Sequence, residues 1–253
     1  LSSHPLELAP PRATLRLAKP PLHILDLEAI ASLQEALDSV AARDDLSVLV
    51  LGSEGEKAFS AGVEVRDHLP ERVEAMLASF HHLCRSLLEL DAVTVASVRG
   101  SALGGGMELA VCCDFVIAAE GTLFAQPEID LGCFPPLGAC LYPALLGPRR
   151  ANEIVLLGER FDAAEAQATG MVSRVVPGPD LDDAVEELAA RLASKSPAVL
   201  RIAKRALRAA SASALATLPE IESLYRDELA ATEDMLEGLN AFLEKRKPIW
   251  KGR

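Results

Sequence analysis

Two glutamates carry the chemistry that this sequence offers: Glu108 and Glu128, 20 residues apart. Glu108 follows three successive glycines, Gly104-Gly105-Gly106-Met107, and precedes Leu109-Ala110-Val111-Cys112-Cys113. The glycine run reads as a strand-to-helix turn whose backbone N–H groups stand unshielded at the positive end of the helix dipole. Such a turn suits an anion or a developing oxyanion, or simply close packing of helix on strand. No Lys-Ser/Thr follows it, so it is not a nucleotide phosphate loop. The apolar stretch after Glu108 predicts a helix buried on most sides. An ionised carboxylate there is costly unless it is paired, protonated or used; dipole compensation or an internal ion pair are the plain alternatives. Glu128 lies in Gln126-Pro127-Glu128-Ile129, ahead of Leu131-Gly132-Cys133-Phe134-Pro135-Pro136, so a second carboxylate is expected in a rigid apolar loop. Each is expected on the C-terminal side of a strand, which makes the two a candidate acid–base pair.

The elements that must position them follow from periodicity. Residues 13–17 alternate apolar and polar as a strand, ended by Pro20-Pro21. Asp26 reads as an N-cap, with Ile30, Leu33, Leu37 and Val40 at helical spacing to about Ala42. Apolar runs at 46–51 and 93–98 read as buried strands, with a loop at 54–62 and a helix at about 70–90 between them. Residues 115–118 form a further strand. The alternation indicates an α/β protein. Beyond Gly138 the pattern turns helical: a short helix capped by Asp162, then helices over 181–193, 198–210, 218–231 and 233–247, with Pro248 as a stop. The expected layout is an α/β core over residues 1–195, holding the site, and a helical region over 196–253.

With 253 residues, half of them apolar, the chain can bury a substantial core. No apolar run approaches the roughly 20 residues needed to cross a bilayer. The first eleven residues lack a basic start and an apolar run, so no secretory signal is expected. Five cysteines without a framework spacing fit reduced thiols and a cytoplasmic location, and the adjacent Cys112-Cys113 read as small core residues rather than metal ligands. The net charge of −12 speaks against nucleic-acid and membrane partners. It is uneven: from Lys195 onward 11 Lys/Arg face 8 Asp/Glu, a net of +3, leaving −15 for residues 1–194. A basic tail on an acidic body suits an anionic ligand or a solvated helix surface equally.

Three segments resemble the crotonase (enoyl-CoA hydratase) superfamily. Lys57-Ala58-Phe59-Ser60-Ala61-Gly62-Val63-Glu64 resembles its first oxyanion loop, Ala102-Leu103-Gly104-Gly105-Gly106-Met107-Glu108 its glycine-rich helix start with the first catalytic glutamate, and Gln126-Pro127-Glu128 the segment bearing the second. Gly147-Pro148-Arg149-Arg150-Ala151, Ala168-Thr169-Gly170-Met171-Val172 and Glu233-Asp234-Met235-Leu236-Glu237-Gly238 extend the likeness over nearly the whole chain. The resemblance implies a spiral of β–β–α units with a helical C-terminal trimerisation region, assembled as a homotrimer or dimer of trimers. It implies an acyl-CoA thioester substrate, with coenzyme A entering only as part of it and no separate cofactor or metal. The backbone N–H groups of Val63 and Gly105 would hold the carbonyl oxygen, Glu108 and Glu128 would move protons, and Ala61, Gly62, Val63, Glu64, Val65, Gly104, Phe134 and Pro135 would contact CoA or the acyl group.

The segment Gly132-Cys133-Phe134-Pro135-Pro136-Leu137 departs from the small residues usual in common hydratases and looks more like the cyclic-diene-CoA hydratases of benzoyl-CoA degradation. A short-chain enoyl-CoA hydratase, an isomerase or decarboxylase of the same superfamily, and a non-catalytic RNA-binding relative are the alternatives. Glu108 argues against the isomerase, whose chemistry needs only the carboxylate near Glu128. His81-His82 is expected as a half-buried helix pair, or with one ring facing the acyl group; His68 near the CoA loop is read likewise. Tyr225 and Trp250 are expected as packing anchors.

Overall fold

The computed structural model describes residues 4–253, with the backbone alone for residues 210–212. Its strands are β1 (Leu6–Ala9), β2 (Arg12–Leu17), β3 (Val48–Ser53), β4 (Ala58–Ser60), β5 (Val93–Val98), β6 (Ser101–Leu103), β7 (Phe115–Ala119), β8 (Leu123–Ala125), β9 (Phe161–Asp162) and β10 (Arg174–Val176). The helices are α1 (Leu27–Ala41), α2 (Val73–Glu89), α3 (Gly105–Val111), α4 (Pro136–Leu146), α5 (Pro148–Leu157), α6 (Ala163–Ala168), α7 (Leu181–Ala193), α8 (Pro197–Leu215), α9 (Leu218–Ser223) and α10 (Glu233–Leu243).

The strands form two sheets, ordered β1-β2-β3-β5-β7-β10 and β4-β6-β8-β9. In the first, every pairing except β1 with β2 is parallel. In the second, β4, β6 and β8 are parallel and β9 closes antiparallel. The chain visits one sheet and then the other, β3 to β4, β5 to β6 and β7 to β8. Each circuit therefore adds a strand at the same side of both sheets, which makes the fold a spiral of β–β–α turns.

Burial on both faces explains why the strands of the first sheet read as continuous apolar runs. Leu49 and Leu51 of β3 join the large core that includes Leu33 and Leu37 of α1 and Leu83 and Leu87 of α2. Val48 and Val50, on the opposite face, pack with Val95, Ile117 and the α7 residues Leu181, Val185 and Ala189. A third cluster joins Val73, Met76 and Leu77 of α2 to Tyr225 and to Met235 and Leu239 of α10, which fastens the C-terminal helices beside the site. Lys204 of α8, 7% exposed, adds a buried tie through Asp114 at 2.7 Å and the Ala92 carbonyl at 2.8 Å.

Expected caps are present: the Asp26 side chain accepts from the Ala29 N–H, and Asp162 forms a capping box with Glu165. Several expectations need correction. The loop expected at 54–62 contains β4, and the second sheet as a whole consists of strands two or three residues long, too short to show alternation. The helix expected at 218–231 breaks into α9, a π-turn at Leu224–Glu228 and a 3-10 turn at Leu229–Ala231. The last helix ends at Leu243, before Pro248, because Lys245 turns left-handed (φ 56°) and the Arg246 N–H caps the Ala241 carbonyl. Trp250 is 48% exposed, so it is no buried anchor; the tail is held by the Ile249 N–H on Glu237, the Lys251 and Gly252 N–H groups on Asp234, and the Lys251 and Arg253 side chains on Glu233.

Candidate active site

Each glycine of the run 104–106 makes room for something different. Gly104 caps α3 in the left-handed region, φ 53° and ψ −129°, where a side chain is strained. A Cβ there would lie 2.6 Å from Glu128 Oε1. A Cβ on Gly105 would lie 2.8 Å from Val63 Cγ2 and 3.0 Å from Phe80 Cζ, and one on Gly106 would lie 2.5 Å from the Ser60 carbonyl oxygen. Gly106 thus serves close packing of α3 on β4, whereas Gly104 and Gly105 keep a space clear between Glu128, Val63 and the start of α3.

Two N–H groups face that space. Val63 forms a parallel bridge with Leu25 in which Leu25 donates to the Gly62 carbonyl (2.9 Å) and Glu64 donates to the Leu25 carbonyl (3.1 Å). Both bonds come from the neighbours of Val63, so its own N–H points away from Leu25. Gly105 is the first residue of α3, where a helix leaves its N–H unused. Neither group has an acceptor among the described residues.

Glu108 sits in the first turn of α3 and is 4% exposed. Its Oε1 accepts from the Gly138 N–H at 2.7 Å, so the free N-terminus of α4 meets the carboxylate that α3 buries. Burial pushes its pKa up to about 7, with the Gly138 N–H pulling the other way. Glu128 lies not in an open loop but in a 3-10 turn, Pro127–Leu131, entered from β8 and closed by Gly132 in the left-handed region. It is half-buried. Burial first, and then the charge of Glu108, raise its pKa to about 8. Gln126, fully buried, opposes this rise. With its amide oxygen accepting from the Tyr142 hydroxyl, its Nε2 lies 3.0 and 2.9 Å from the two carboxylate oxygens of Glu128. Burial thus favours the protonated form of both carboxyls near neutrality, and the charge of Glu108 favours it further in Glu128.

Both glutamates line a cavity of about 390 Å³. Ala61, Gly62, Val63, Val65, Gly104, Gly105, Phe134 and Pro135 line it. Glu64 does not: its side chain accepts from the Arg66 N–H and caps a 3-10 turn, Val65–His68. Of the histidine pair, His81 lines the cavity while His82 is exposed, so neither is half-buried; His68 lines it too. Tyr225 packs on Phe134 with ring centroids 5.2 Å apart and closes one wall, and Phe242 also lines the cavity. The helical C-terminal region therefore contributes directly to the site. Sequence reasoning missed Phe80, Gln126, Tyr142 and Glu222, whose Oε1 stands 2.6 Å from His81 Nδ1. Only Gln126 carried a local signal, its place two residues before Glu128.

The arrangement can hold an oxygen that gains negative charge on two N–H groups, beside a carboxyl pair able to take and give a proton. That defines a site for activating a carbonyl compound next to its conjugated carbons. The profile of the enoyl-CoA hydratase/isomerase family matches residues 13–253. The chain is 37% identical over 242 residues to a cyclohexa-1,5-dienecarbonyl-CoA hydratase of Thauera aromatica, covering 94% of this chain and 92% of that protein. It is 36% identical over 257 residues to a carnitinyl-CoA dehydratase of Salmonella enteritidis, covering 96% of each. The solved structure of an enoyl-CoA hydratase from Mycobacterium avium subsp. paratuberculosis superposes with a TM-score of 0.87 at 28% identity, over 99% of both chains. The chain belongs to the enoyl-CoA hydratase/isomerase family, has the crotonase fold and is a hydratase-type enzyme.

Proposed function

We propose that the protein adds water to a conjugated acyl-CoA thioester, and that the acyl group is cyclic, with cyclohexa-1,5-diene-1-carbonyl-CoA as the substrate to test first. The observation that carries the reading is that Glu108 and Glu128, both with raised pKa values, line one cavity with Val63 and Gly105, whose N–H groups have no acceptor among the described residues. In this reading those two groups hold the thioester oxygen. One carboxylate takes a proton from water as the water oxygen bonds to the conjugated carbon, and electrons move through the carbonyl onto the held oxygen. The other carboxyl then gives its proton to carbon as the carbonyl re-forms. One proton enters the pair and one leaves, so its proton count is unchanged over a turnover. Removing one oxyanion donor of this kind costs about 10²–10³ in rate.

The cyclic acyl group is supported by the Phe134-Pro135-Pro136 wall and by the likeness to the Thauera aromatica protein. Ala61 to Val65 and Gly104 would meet the thioester and the CoA arm, with Glu64 shaping that loop rather than touching the ligand. We also propose a cytoplasmic homotrimer or dimer of trimers, supported by the reduced cysteines and by exposed Val199 and Ile202 on α8 and Ile249 and Trp250 in the tail. Light scattering should give three or six times 26.9 kDa; a monomer mass would contradict the assembly.

The direct test is incubation with crotonyl-CoA and with cyclohexa-1,5-diene-1-carbonyl-CoA, following loss of the conjugated absorbance. Turnover of the cyclic diene, faster than that of crotonyl-CoA, is expected. Binding of both thioesters without water addition to either would overturn the hydratase reading.

A further inference from the structure

The direction of the Val63 N–H is set from outside the cavity. A trans peptide points its N–H opposite to its C=O, and the Gly62 carbonyl accepts from the Leu25 N–H at 2.9 Å. The Val63 N–H, on the same peptide, is thereby turned away from Leu25. One peptide earlier, the Gly62 N–H donates to Ser60 Oγ at 3.1 Å. That hydroxyl, fully buried, donates in turn to the His23 carbonyl at 2.7 Å. The Ala61 N–H meets the Leu22 carbonyl at 2.8 Å, and the Glu64 N–H meets the Leu25 carbonyl at 3.1 Å. The loop 60–64 thus takes its form from residues 22–25. Gly62 also spaces the two donors: it is left-handed (φ 94°), and a Cβ on it would lie 3.2 Å from the Gly105 nitrogen. A shift of this loop therefore moves one N–H group relative to the other.

Residues 19–23 form a closed turn around His23, which is 1% exposed. His23 takes a left-handed φ of 49°, a region uncommon for residues other than glycine. Its imidazole holds it there. Nδ1 accepts from the Lys19 N–H at 3.0 Å, and the His23 N–H returns a bond to the Lys19 carbonyl at 2.8 Å. With Nδ1 accepting, the ring proton lies on Nε2, which donates to the Glu54 carbonyl at 2.7 Å. Both ring nitrogens are therefore spent on backbone, and they tie the turn to the end of β3. The Lys19 ammonium meets the Asp26 carboxylate and draws the two ends of the segment together.

We propose that His23 and Ser60 are positioning residues for the oxyanion-holding N–H of Val63. The His23 ring locks the turn, and the Ser60 hydroxyl passes that geometry to the loop that carries the donor. The inference rests on the oxyanion reading above and adds to it the side chains that aim one of its donors. Neither side chain lines the cavity, so their effect falls on carbonyl polarisation and kcat rather than on affinity.

Difference infrared spectroscopy of bound cyclohexanecarbonyl-CoA, isotopically labelled at the carbonyl carbon, reads that polarisation directly. This saturated thioester cannot be hydrated, and hydrogen bonds to its oxygen lower the C=O stretching frequency. Binding to wild type should lower the frequency. The lowering should shrink to about half in His23→Ala and in Ser60→Ala, as one of two donors is misdirected. In the same variants kcat for cyclohexa-1,5-diene-1-carbonyl-CoA should drop about tenfold, with KM within about threefold of wild type. His23→Asn should recover most of the lowering, because Asn tolerates the left-handed region and its Oδ1 can accept from the Lys19 N–H. A merely structural role would reduce the melting temperature and leave the bound carbonyl as in wild type. An undiminished lowering in either folded variant therefore overturns the inference alone. Absence of the lowering in wild type, or failure of the thioester to bind, overturns the oxyanion reading together with it. Ser60→Ala, which loses only a hydroxyl, decides the matter if His23→Ala does not fold.

Discussion

Gln126 grips Glu128 by both carboxylate oxygens, at 3.0 and 2.9 Å; the carboxylate, which only accepts, fixes which end of the amide points there, and the Tyr142 hydroxyl donates to the other end. All three side chains meet at the joint between the 3-10 turn and α4, and Gln126 and Tyr142 are completely buried. Two donors on a carboxylate favour its charged form and fix its direction. The grip therefore opposes the burial that raises Glu128.

Gln126→Leu should remove that restraint. Turnover is expected to drop about tenfold to a hundredfold, and the alkaline limb of the rate profile should move to higher pH as Glu128 loses its donors. Tyr142→Phe, which leaves the Gln126 amide oxygen without its donor, should give a smaller loss in the same direction. An unchanged alkaline limb in Gln126→Leu would show that the amide does not act on Glu128.

The α4 start couples the two glutamates. Gly138 donates to Glu108, and a Cβ on Gly138 would lie 2.6 Å from Tyr142 Cε2. Gly138→Ala should push the Tyr142 ring off Gln126. Both a lower melting temperature and a lower kcat are expected, the latter larger than in Tyr142→Phe because both carboxyls are disturbed.

Gly104→Ala and Gly105→Ala test the cleared space. A methyl group would meet Glu128 at the first position, and Val63 with Phe80 at the second. Each should reduce kcat/KM by about 10²-fold or more, the scale of a lost oxyanion donor, with circular dichroism unchanged. Gly121→Ala, at a left-handed turn with open space around it, serves as the control for backbone strain without obstruction.

Stability should carry the mark of the site. Burial raises Glu108 from an ordinary value of 4.5 to about 7 and Glu128 to about 8. Between about pH 4.5 and 8 the folded protein then holds more protons than the unfolded chain, so stability falls as pH rises through that window. Glu108→Gln should be more stable than wild type at pH 8.5, by roughly 1–3 kcal/mol, and the gain should disappear near pH 4. Chemical denaturation at the two pH values measures it. A gain that is the same at both would mean that Glu108 is not buried as a charge.

What the sequence made legible were the features with strong local signals. The strands from 46 and from 93 are buried on both faces and read as apolar runs; Asp26 and Asp162 cap as their types suggest. Glu108 stood out because a carboxylate interrupts a stretch fated for burial. The second sheet stayed hidden because its strands are too short for any period, and their pairing is set by the stacking of successive turns. Tyr142 and Glu222 stayed hidden for a different reason. Each meets its partner across a tertiary contact, 16 residues from Gln126 and 141 from His81, that no local pattern encodes. Trp250 shows the converse, a large aromatic that is left 48% exposed.

The central claim is that Glu108 and Glu128 both move protons in the reaction. Glu108→Gln and Glu128→Gln are compared with wild type for loss of conjugated absorbance from cyclohexa-1,5-diene-1-carbonyl-CoA, with thioester binding measured alongside. Each substitution should reduce turnover by about 10³-fold or more while binding and folding are kept. Turnover at the wild-type rate in either variant would contradict the paired acid–base mechanism.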